Sequence, residues 1–227
     1  MKKLSYLLLL SIFLLSCTSQ SNSEAFMKKA TGRYLFNANE VLEIYFDDAI
    51  MHAKWRGNDD IELLKVNDSA FYMKELNEKM LFVSKPEMHI ELAPKTEHEG
   101  VVYHFKKMKK EEKTASEYFN EKEYDKALQA FQKIKEQDSL NINVSERRIN
   151  TLGYRFLRDN KFDEARELFK INIALYPKSS NVYDSMGDVY YEQNDTLNAI
   201  EYYKKALAIN PENRSSKRRL ETLTEKN

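Results

Sequence analysis

The segment 152–177 of this sequence reads LGYRFLRDNKFDEARELFKINIALYP, and the segment 186–211 reads MGDVYYEQNDTLNAIEYYKKALAINP. The two segments match at a spacing of 34 residues. A period of this length predicts stacked helical hairpins, in which small residues let two helices approach and a proline ends each second helix. The match pairs small with small, aromatic with aromatic and proline with proline: Gly153 with Gly187, Phe156 with Tyr190, Ala165 with Ala199, Phe169 with Tyr203, and Pro177 with Pro211.

This pattern resembles the tetratricopeptide repeat, a helical solenoid that binds other proteins. A weaker copy of the pattern precedes the two clear ones, because Tyr124, Ala127 and Phe131 lie 38 residues before Phe162, Ala165 and Phe169. Residues beyond the last repeat place Leu220 and Leu223 on one helical stripe, which is typical of a capping helix. The predicted repeat domain covers residues 108–227, with repeats at about 108–141, 146–179 and 180–213 and a capping helix at 214–224.

In the repeat family, the first helix of each repeat lines a concave groove through fixed positions. The resemblance implies ten partner-binding residues in the two clear repeats: Arg147, Asn150, Tyr154, Leu157, Arg158, Asn181, Asp184, Asp188, Tyr191 and Glu192. The weak repeat would add Glu112, Ser116, Phe119 and Asn120. A groove with arginines on one wall, carboxylates on the other and tyrosines between them suits an extended or helical peptide of mixed charge. The alternative is that these residues form ordinary solvated helix faces.

The N-terminal residues predict an export signal. Lys2 and Lys3 precede an apolar run over residues 4–15, which at about 1.5 Å per helical residue is too short for the roughly 30 Å hydrocarbon core of a bilayer. Cys17, the only cysteine, follows Leu14-Leu15-Ser16 and resembles the lipobox of bacterial lipoproteins. The resemblance implies a signal peptide over residues 1–16 and a lipid on Cys17. The alternative is an ordinary secretory leader with an incidental cysteine.

The lipobox resemblance also implies a location in the bacterial cell envelope. Residues 18–25 are small and polar, as expected of a flexible linker, and we assign residues 17–26 to the lipidated N-terminus and this linker. Thr18 after the cysteine is compatible with transfer to an outer membrane in the lipoprotein family. We therefore expect a lipid-anchored protein at the outer membrane that faces the periplasm, held by several acyl chains.

Residues 27–107 predict short strands with alternating apolar positions and no helical period. Connections this short make sequential strands antiparallel neighbours, and a meander avoids exposed edges by closing into a small up-and-down barrel. The predicted fold class is therefore α+β, a small antiparallel barrel or meander followed by an all-α solenoid. The predicted strands are Gly32 to Phe36, Val41 to Phe46, Ile50 to Trp55, Ile61 to Val66, Ala70 to Met73, Met80 to Ser84, His89 to Ala93 and Val101 to Lys106.

The succession of Thr31-Gly32-Arg33-Tyr34, His52-Ala53-Lys54-Trp55-Arg56-Gly57 and Met80-Leu81-Phe82-Val83 resembles a lipocalin-like β domain. In bacteria this domain follows serine hydrolases similar to β-lactamases and penicillin-binding proteins. No hydrolase pattern precedes it in this sequence, which favours a structural or binding role. Seven aromatic residues could line a ligand cavity in the barrel, although filling of the core is the favoured interpretation: Tyr34, Tyr45, Trp55, Phe71, Tyr72, Phe82 and Phe105.

Motifs for catalysis are missing from the sequence. It contains no Gly-x-Ser-x-Gly, no His-Glu-x-x-His and no Ser-x-x-Lys with the partner motifs of penicillin-binding enzymes. We therefore predict no enzyme activity and assign no catalytic, cofactor-binding or metal residues. His89 and Glu91 alternate onto one strand face, which is only a weak indication of a metal ligand pair. Basic and acidic residues number 36 each, so no global basic field favours nucleic acid.

These observations predict a non-enzymatic, lipid-anchored envelope protein whose helical repeats bind another protein or peptide. Two alternatives remain open. The β-barrel could bind a small hydrophobic or peptidoglycan-derived ligand, or the chain could be an accessory subunit of a separate serine hydrolase.

Overall fold

The computed structural model describes residues 22–225, which form two compact units. The β unit comprises the described residues up to Tyr34 together with Leu42–Lys107, and the helical unit comprises Leu35–Val41 together with the residues from Met108 onward. The predicted signal peptide and Cys17 lie outside the described residues. Among residues 22–225, no helix is both long enough and apolar enough to cross a bilayer.

The β unit contains one helix and nine strands in a single sheet, in the spatial order β4-β3-β2-β1-β9-β8-β7-β6-β5. Every neighbour in this order except β1 is also a neighbour in sequence, as the predicted meander requires. The α+β fold class is thus confirmed. The elements are α1 (Glu24–Ala30), β1 (Gly32–Asn37), β2 (Glu40–Asp47), β3 (Ile50–Trp55), β4 (Asn58–Glu62), β5 (Leu64–Asn67), β6 (Ala70–Met73), β7 (Glu78–Val83), β8 (His89–Leu92) and β9 (His104–Lys107).

The two outermost strands, β4 and β5, are separated in the chain by Leu63 alone. Sequence patterning predicts one strand over Ile61 to Val66, and the structure divides it. Its first part pairs with β3 and its second part with β6, and register shifts occur in both pairings. Irregularities of this kind bend a strand, so a single kinked segment nearly closes the sheet into a barrel.

Helix α1 places an aromatic side chain on the apolar interior of the sheet. Ser23 caps the helix by accepting a hydrogen bond from the Phe26 amide. The Phe26 ring lies 5.8 Å from the rings of both Phe71 and Phe82 and 6.2 Å from that of Phe46. The predicted linker over residues 17–26 therefore extends too far, because capping and aromatic packing order the chain from Glu24.

The seven aromatic residues considered as cavity lining fall into two groups. Tyr34, Trp55, Phe71, Phe82 and Phe105 are buried, and several of these rings contact one another in the core. Tyr45 and Tyr72 are half-buried, with hydroxyls that contact polar groups of the surface. Core packing therefore accounts for the five buried aromatic residues, as the sequence favours.

The helical unit is built from antiparallel helix pairs, each followed by the next pair along the chain. Two short 3-10 turns occur in the described chain, at Thr96–His98 and Ile142–Val144. The second helix of each clear repeat ends two residues before its proline, as expected from the missing proline amide. The helices are α2 (Ala115–Asn120), α3 (Tyr124–Gln137), α4 (Glu146–Arg158), α5 (Phe162–Leu175), α6 (Ser180–Glu192), α7 (Thr196–Ile209) and α8 (Arg214–Thr224).

The repeated glycines are the points at which paired helices cross most closely. A Cβ atom on Gly153 would lie 2.4 Å from Cε1 of Phe169, and one on Gly187 would lie 2.6 Å from Cε1 of Tyr203. Both distances are far below van der Waals contact, so any larger residue displaces the aromatic ring of the partner helix. The equivalent position of the first repeat, 38 residues before Gly153, is the buried Ala115.

The first repeat is shorter than its predicted range of 108–141. Its first helix, α2, has 6 residues whereas α4 has 13. Thr114 begins α2 with a capping box, in which the Thr114 hydroxyl accepts from the Glu117 amide and the Glu117 carboxylate accepts from the Thr114 amide. Residues 108–114, which align with the first half of α4, are consequently not helical.

Candidate functional site

The first helices of the two clear repeats, α4 and α6, contact each other through polar side chains. Ser185 Oγ donates a hydrogen bond of 2.7 Å to Asn150 Oδ1, and Asn181 Nδ2 donates one of 3.1 Å to Glu146 Oε1. The Tyr154 hydroxyl donates to Asp188 at 2.8 Å. These contacts bring most of the predicted groove residues to one side of the two helices.

Two of the ten predicted groove residues are buried in the fold. Leu157 is only 8% exposed and packs in an apolar cluster with Ala165, Phe169 and Met186. Asp184 is only 6% exposed, and it accepts a 2.5 Å hydrogen bond from the Ser216 hydroxyl of α8. The structure therefore corrects the prediction for these two positions, because helix packing and the capping helix remove both from solvent.

Tyr154 and Tyr191, predicted as aromatic contacts for a partner, are occupied by the protein itself. The Tyr154 ring packs edge-on against Phe169 at 5.3 Å, and burial together with the Asp188 charge raises the pKa of its hydroxyl. Arg219 of α8 lies over the Tyr191 ring, with Cζ 4.1 Å from the ring centroid. Neither ring is free to serve as the anchor that the sequence predicts.

Asp188, another predicted groove residue, is the centre of a buried polar cluster. Its two carboxylate oxygens accept hydrogen bonds from the Tyr154 and Tyr203 hydroxyls, each at 2.8 Å. Arg219 Nε lies 3.4 Å from Asp188 Oδ1. Burial, with the nearby Asp188 charge, raises the pKa of the Tyr203 hydroxyl, so the tyrosine stays a donor at physiological pH. This cluster joins α4, α6, α7 and α8 and is structural.

Arg147, Arg158, Asn181 and Glu192 remain exposed, and Asn150 is half-buried. In the weak repeat, Phe119 is buried in the apolar core, and Glu112 precedes the shortened helix. Ser116 is engaged by Asn39, whose side chain accepts from the Ser116 amide at 2.9 Å. Asn120, the last residue of α2, is exposed. The weak repeat therefore provides little of the groove that the resemblance implies.

The shortened α2 leaves one flank of α4 uncovered. Asn181 and Ser185 are the residues through which α6 contacts α4, and the residues 34 positions earlier are Arg147 and Thr151. In a regular stack these positions would meet the first half of the preceding helix, which residues 108–114 do not form. The flank instead borders an open groove with a volume of about 640 Å³.

We call this surface the α4 flank and define it by the lining of the groove. It carries three arginines and no carboxylate: Ile142, Ser145, Arg147, Arg148, Thr151, Leu152 and Arg155. The three arginines are exposed. Within residues 22–225 none of their guanidinium groups forms an ion pair or side-chain hydrogen bond. Ile142, which is 66% exposed, and Leu152 add apolar surface beside them.

Sequence reasoning found Arg147 on this surface and missed Arg148, Thr151, Leu152 and Arg155. These residues lie outside the groove positions of the repeat family, because a neighbouring helix normally covers them. One signal was available, namely the Thr-x-x-Glu capping box at residues 114–117, which marks a helix start well after residue 108.

Comparison with known proteins finds the helical repeat. The family model of the tetratricopeptide repeat matches residues 185–213. Solved structures similar to the chain include the first such domain of Spaghetti (RPAP3) bound to an HSP90 peptide, the first such domain of human RPAP3, and the Sgt2 domain from Aspergillus fumigatus. Each is 20% identical with a TM-score of 0.34 over 49% of this chain, and the match covers 86%, 84% and 73% of those chains, respectively. A search of curated protein sequences gave no match.

Proposed function

We propose that this chain is a non-enzymatic, lipid-anchored adaptor of the bacterial cell envelope that binds an acidic segment of a partner protein on the α4 flank. The tetratricopeptide repeat match supports an interaction role, because domains of this type are protein-binding modules without catalytic chemistry. The absence of hydrolase and metalloprotease motifs in the sequence agrees with this role.

One observation carries the choice of site. Three exposed arginines without ionic partners in the described chain lie beside apolar side chains, on a face that the next repeat covers with a helix. Guanidinium groups bind carboxylates through paired hydrogen bonds, so the complementary partner carries Asp or Glu. A helical or extended segment would also place an apolar side chain against Leu152 and Ile142, which supplies desolvated contact area. The partner of mixed charge expected from the sequence thus becomes a predominantly acidic one.

Charge reversal on the α4 flank tests this site. The double variant Arg147→Glu and Arg155→Glu is expected to weaken partner binding by about 100-fold, because each new carboxylate repels the acidic segment and loses its paired hydrogen bonds. The partner is first identified by pull-down of the lipidated protein from native membranes. Its dissociation constant is then measured with the purified proteins at low and high salt, and binding by the wild type should weaken with salt.

The matched control is Arg214→Glu with Arg218→Glu, which reverses two exposed arginines of α8 and leaves the α4 flank intact. We expect wild-type affinity for this control and similar thermal midpoints for both double variants, since exposed substitutions change stability little. Equal loss of binding in both double variants, or no loss in the first, would refute the proposed site.

Membrane attachment has its own test at Cys17. We expect Cys17→Ser to abolish labelling with a radioactive or clickable fatty acid and to shift the protein from the membrane to the soluble fraction, because the acyl chains supply the tether. Thr18→Ser serves as the control and should fractionate like the wild type. A Cys17→Ser protein that remains in the membrane fraction would show that the attachment does not depend on lipid at this residue.

A further inference from the structure

Three side chains with metal-binding atoms meet on the outer face of the β unit. His89 and Glu91 alternate along β8 and therefore share a face, and Glu91 lies directly opposite His104 of β9. One candidate ligand atom from each residue lies within 4.8 Å of the other two. The His89 and His104 rings are 4.0 Å apart between centroids. Sequence analysis noted the first two residues, and the pairing of β8 with β9 adds the third.

The hydrogen bonding of His89 leaves one ring nitrogen facing the other two side chains. Nδ1 lies 2.8 Å from the Glu87 carbonyl oxygen, which only accepts, so Nδ1 carries the proton. In neutral His89 the Nε2 atom is then a lone pair, and it lies 3.2 Å from Glu91 Oε1, which is also an acceptor. Two acceptors at this distance are stabilised only by a cation between or beside them. His89 is only 5% exposed, so water gives its ring little access to solvent.

We propose that His89 Nε2, the Glu91 carboxylate and an imidazole nitrogen of His104 bind a divalent zinc ion. Two imidazoles and one carboxylate form a donor set that zinc uses when the fourth position is left to water. Zinc bonds of about 2.0–2.1 Å place ligand atoms roughly 3.3 Å apart in a tetrahedron, close to the 3.2 Å between Nε2 and Oε1. The hydrogen bond from Nδ1 to the Glu87 carbonyl fixes the tautomer that a metal requires.

The surroundings of the three side chains are compatible with this ion. They border an open cleft of about 420 Å³ whose lining includes Pro86, Met88 and Lys106. Lys106 lies opposite His89 in the strand register and is the one adverse charge, but its side chain is exposed. His104 is also exposed, so a rotation of its side chain brings the third ligand to the metal and a water molecule reaches the fourth position. The bound ion would tie β8 to β9.

Titration of the full-length protein with zinc chloride tests the proposal. The protein is purified in detergent without a polyhistidine tag and followed by calorimetry and by its thermal midpoint. We expect one saturable site and a higher midpoint with zinc, because a ligand that binds only the folded state stabilises it. Affinity should fall as pH decreases through about 6.5, where imidazoles take up protons.

The decisive variant is His104→Gln, because His104 is exposed and its loss should leave the fold intact. We expect it to weaken zinc binding by at least about tenfold, since losing a group that merely orients a ligand already costs about 10–100-fold. The control His52→Gln removes a histidine paired with Asp60 on a different strand and should bind zinc like the wild type. No saturable binding, unchanged affinity in His104→Gln, or an equal loss in His52→Gln would each overturn the proposal.

Discussion

Replacing Tyr203 with alanine is expected to lower the free energy of unfolding of the helical unit by about 3–5 kcal/mol, the usual range for deleting a buried aromatic side chain. Tyr203 has no exposed surface, and its ring occupies the space opposite Gly187. Removing it leaves a cavity at the closest crossing of α6 and α7. The loss also removes a hydrogen-bond donor from Asp188.

Urea unfolding of the full-length protein, followed by far-ultraviolet circular dichroism, measures this effect. Tyr203→Phe keeps the ring and should cost only about 1–2 kcal/mol, the contribution of its hydrogen bond to a charged acceptor. Tyr202→Ala is the matched control, because Tyr202 is half-buried and stacks on Tyr190 at 5.4 Å. A loss for Tyr202→Ala as large as that for Tyr203→Ala would mean that the glycine–aromatic crossing does not stabilise the repeat.

The sequence predicts this crossing because the same contact occurs twice. Gly153 meets Phe169 and Gly187 meets Tyr203 at the same 34-residue spacing. Each pair needs a small residue on one helix and a large flat one on the other, and such local complementarity leaves a visible trace in a sequence. The same holds for the strands of the β unit, whose alternating burial follows from short segments and turn residues.

Features that depend on contacts between distant segments could not be predicted in this way. Asp184 looks like a groove carboxylate until Ser216 of the capping helix is placed on it. His104 carries no metal signal until the register of β8 and β9 sets it opposite Glu91. The kink at Leu63 is equally invisible, because a strand that changes partners midway reads as one alternating run.

The α4 flank is a further case, since it arises from a missing neighbour. Arg148 and Arg155 occupy positions that a regular solenoid covers, and only the late start of α2 exposes them. The family positions direct attention to the concave face, where α8 and the Asp188 cluster already occupy several side chains. An irregular repeat therefore moves the available binding surface away from the positions at which the family pattern would place it.

Replacing Asp188 with alanine is expected to destabilise the helical unit by about 3–5 kcal/mol, the range observed when one partner of a buried charged contact is removed. Asp188 is the sole acceptor shown for the hydroxyls of Tyr154 and Tyr203 within residues 22–225, and Arg219 lies beside it. Alanine leaves these buried donors without a partner, at a cost of about 1–3 kcal/mol for each unsatisfied group.

Asp188→Asn should fall between the wild type and Asp188→Ala, because its carbonyl oxygen still accepts while the negative charge beside Arg219 is lost. Glu192→Ala on the same helix is the control and should stay within about 0.5 kcal/mol of the wild type, because Glu192 is exposed. A double-mutant cycle that combines Asp188→Ala with Tyr154→Phe should give a coupling energy of about 0.5–3 kcal/mol. Strict additivity in that cycle would contradict the contact, whereas coupling would establish that Asp188 and Tyr154 hold neighbouring repeats together.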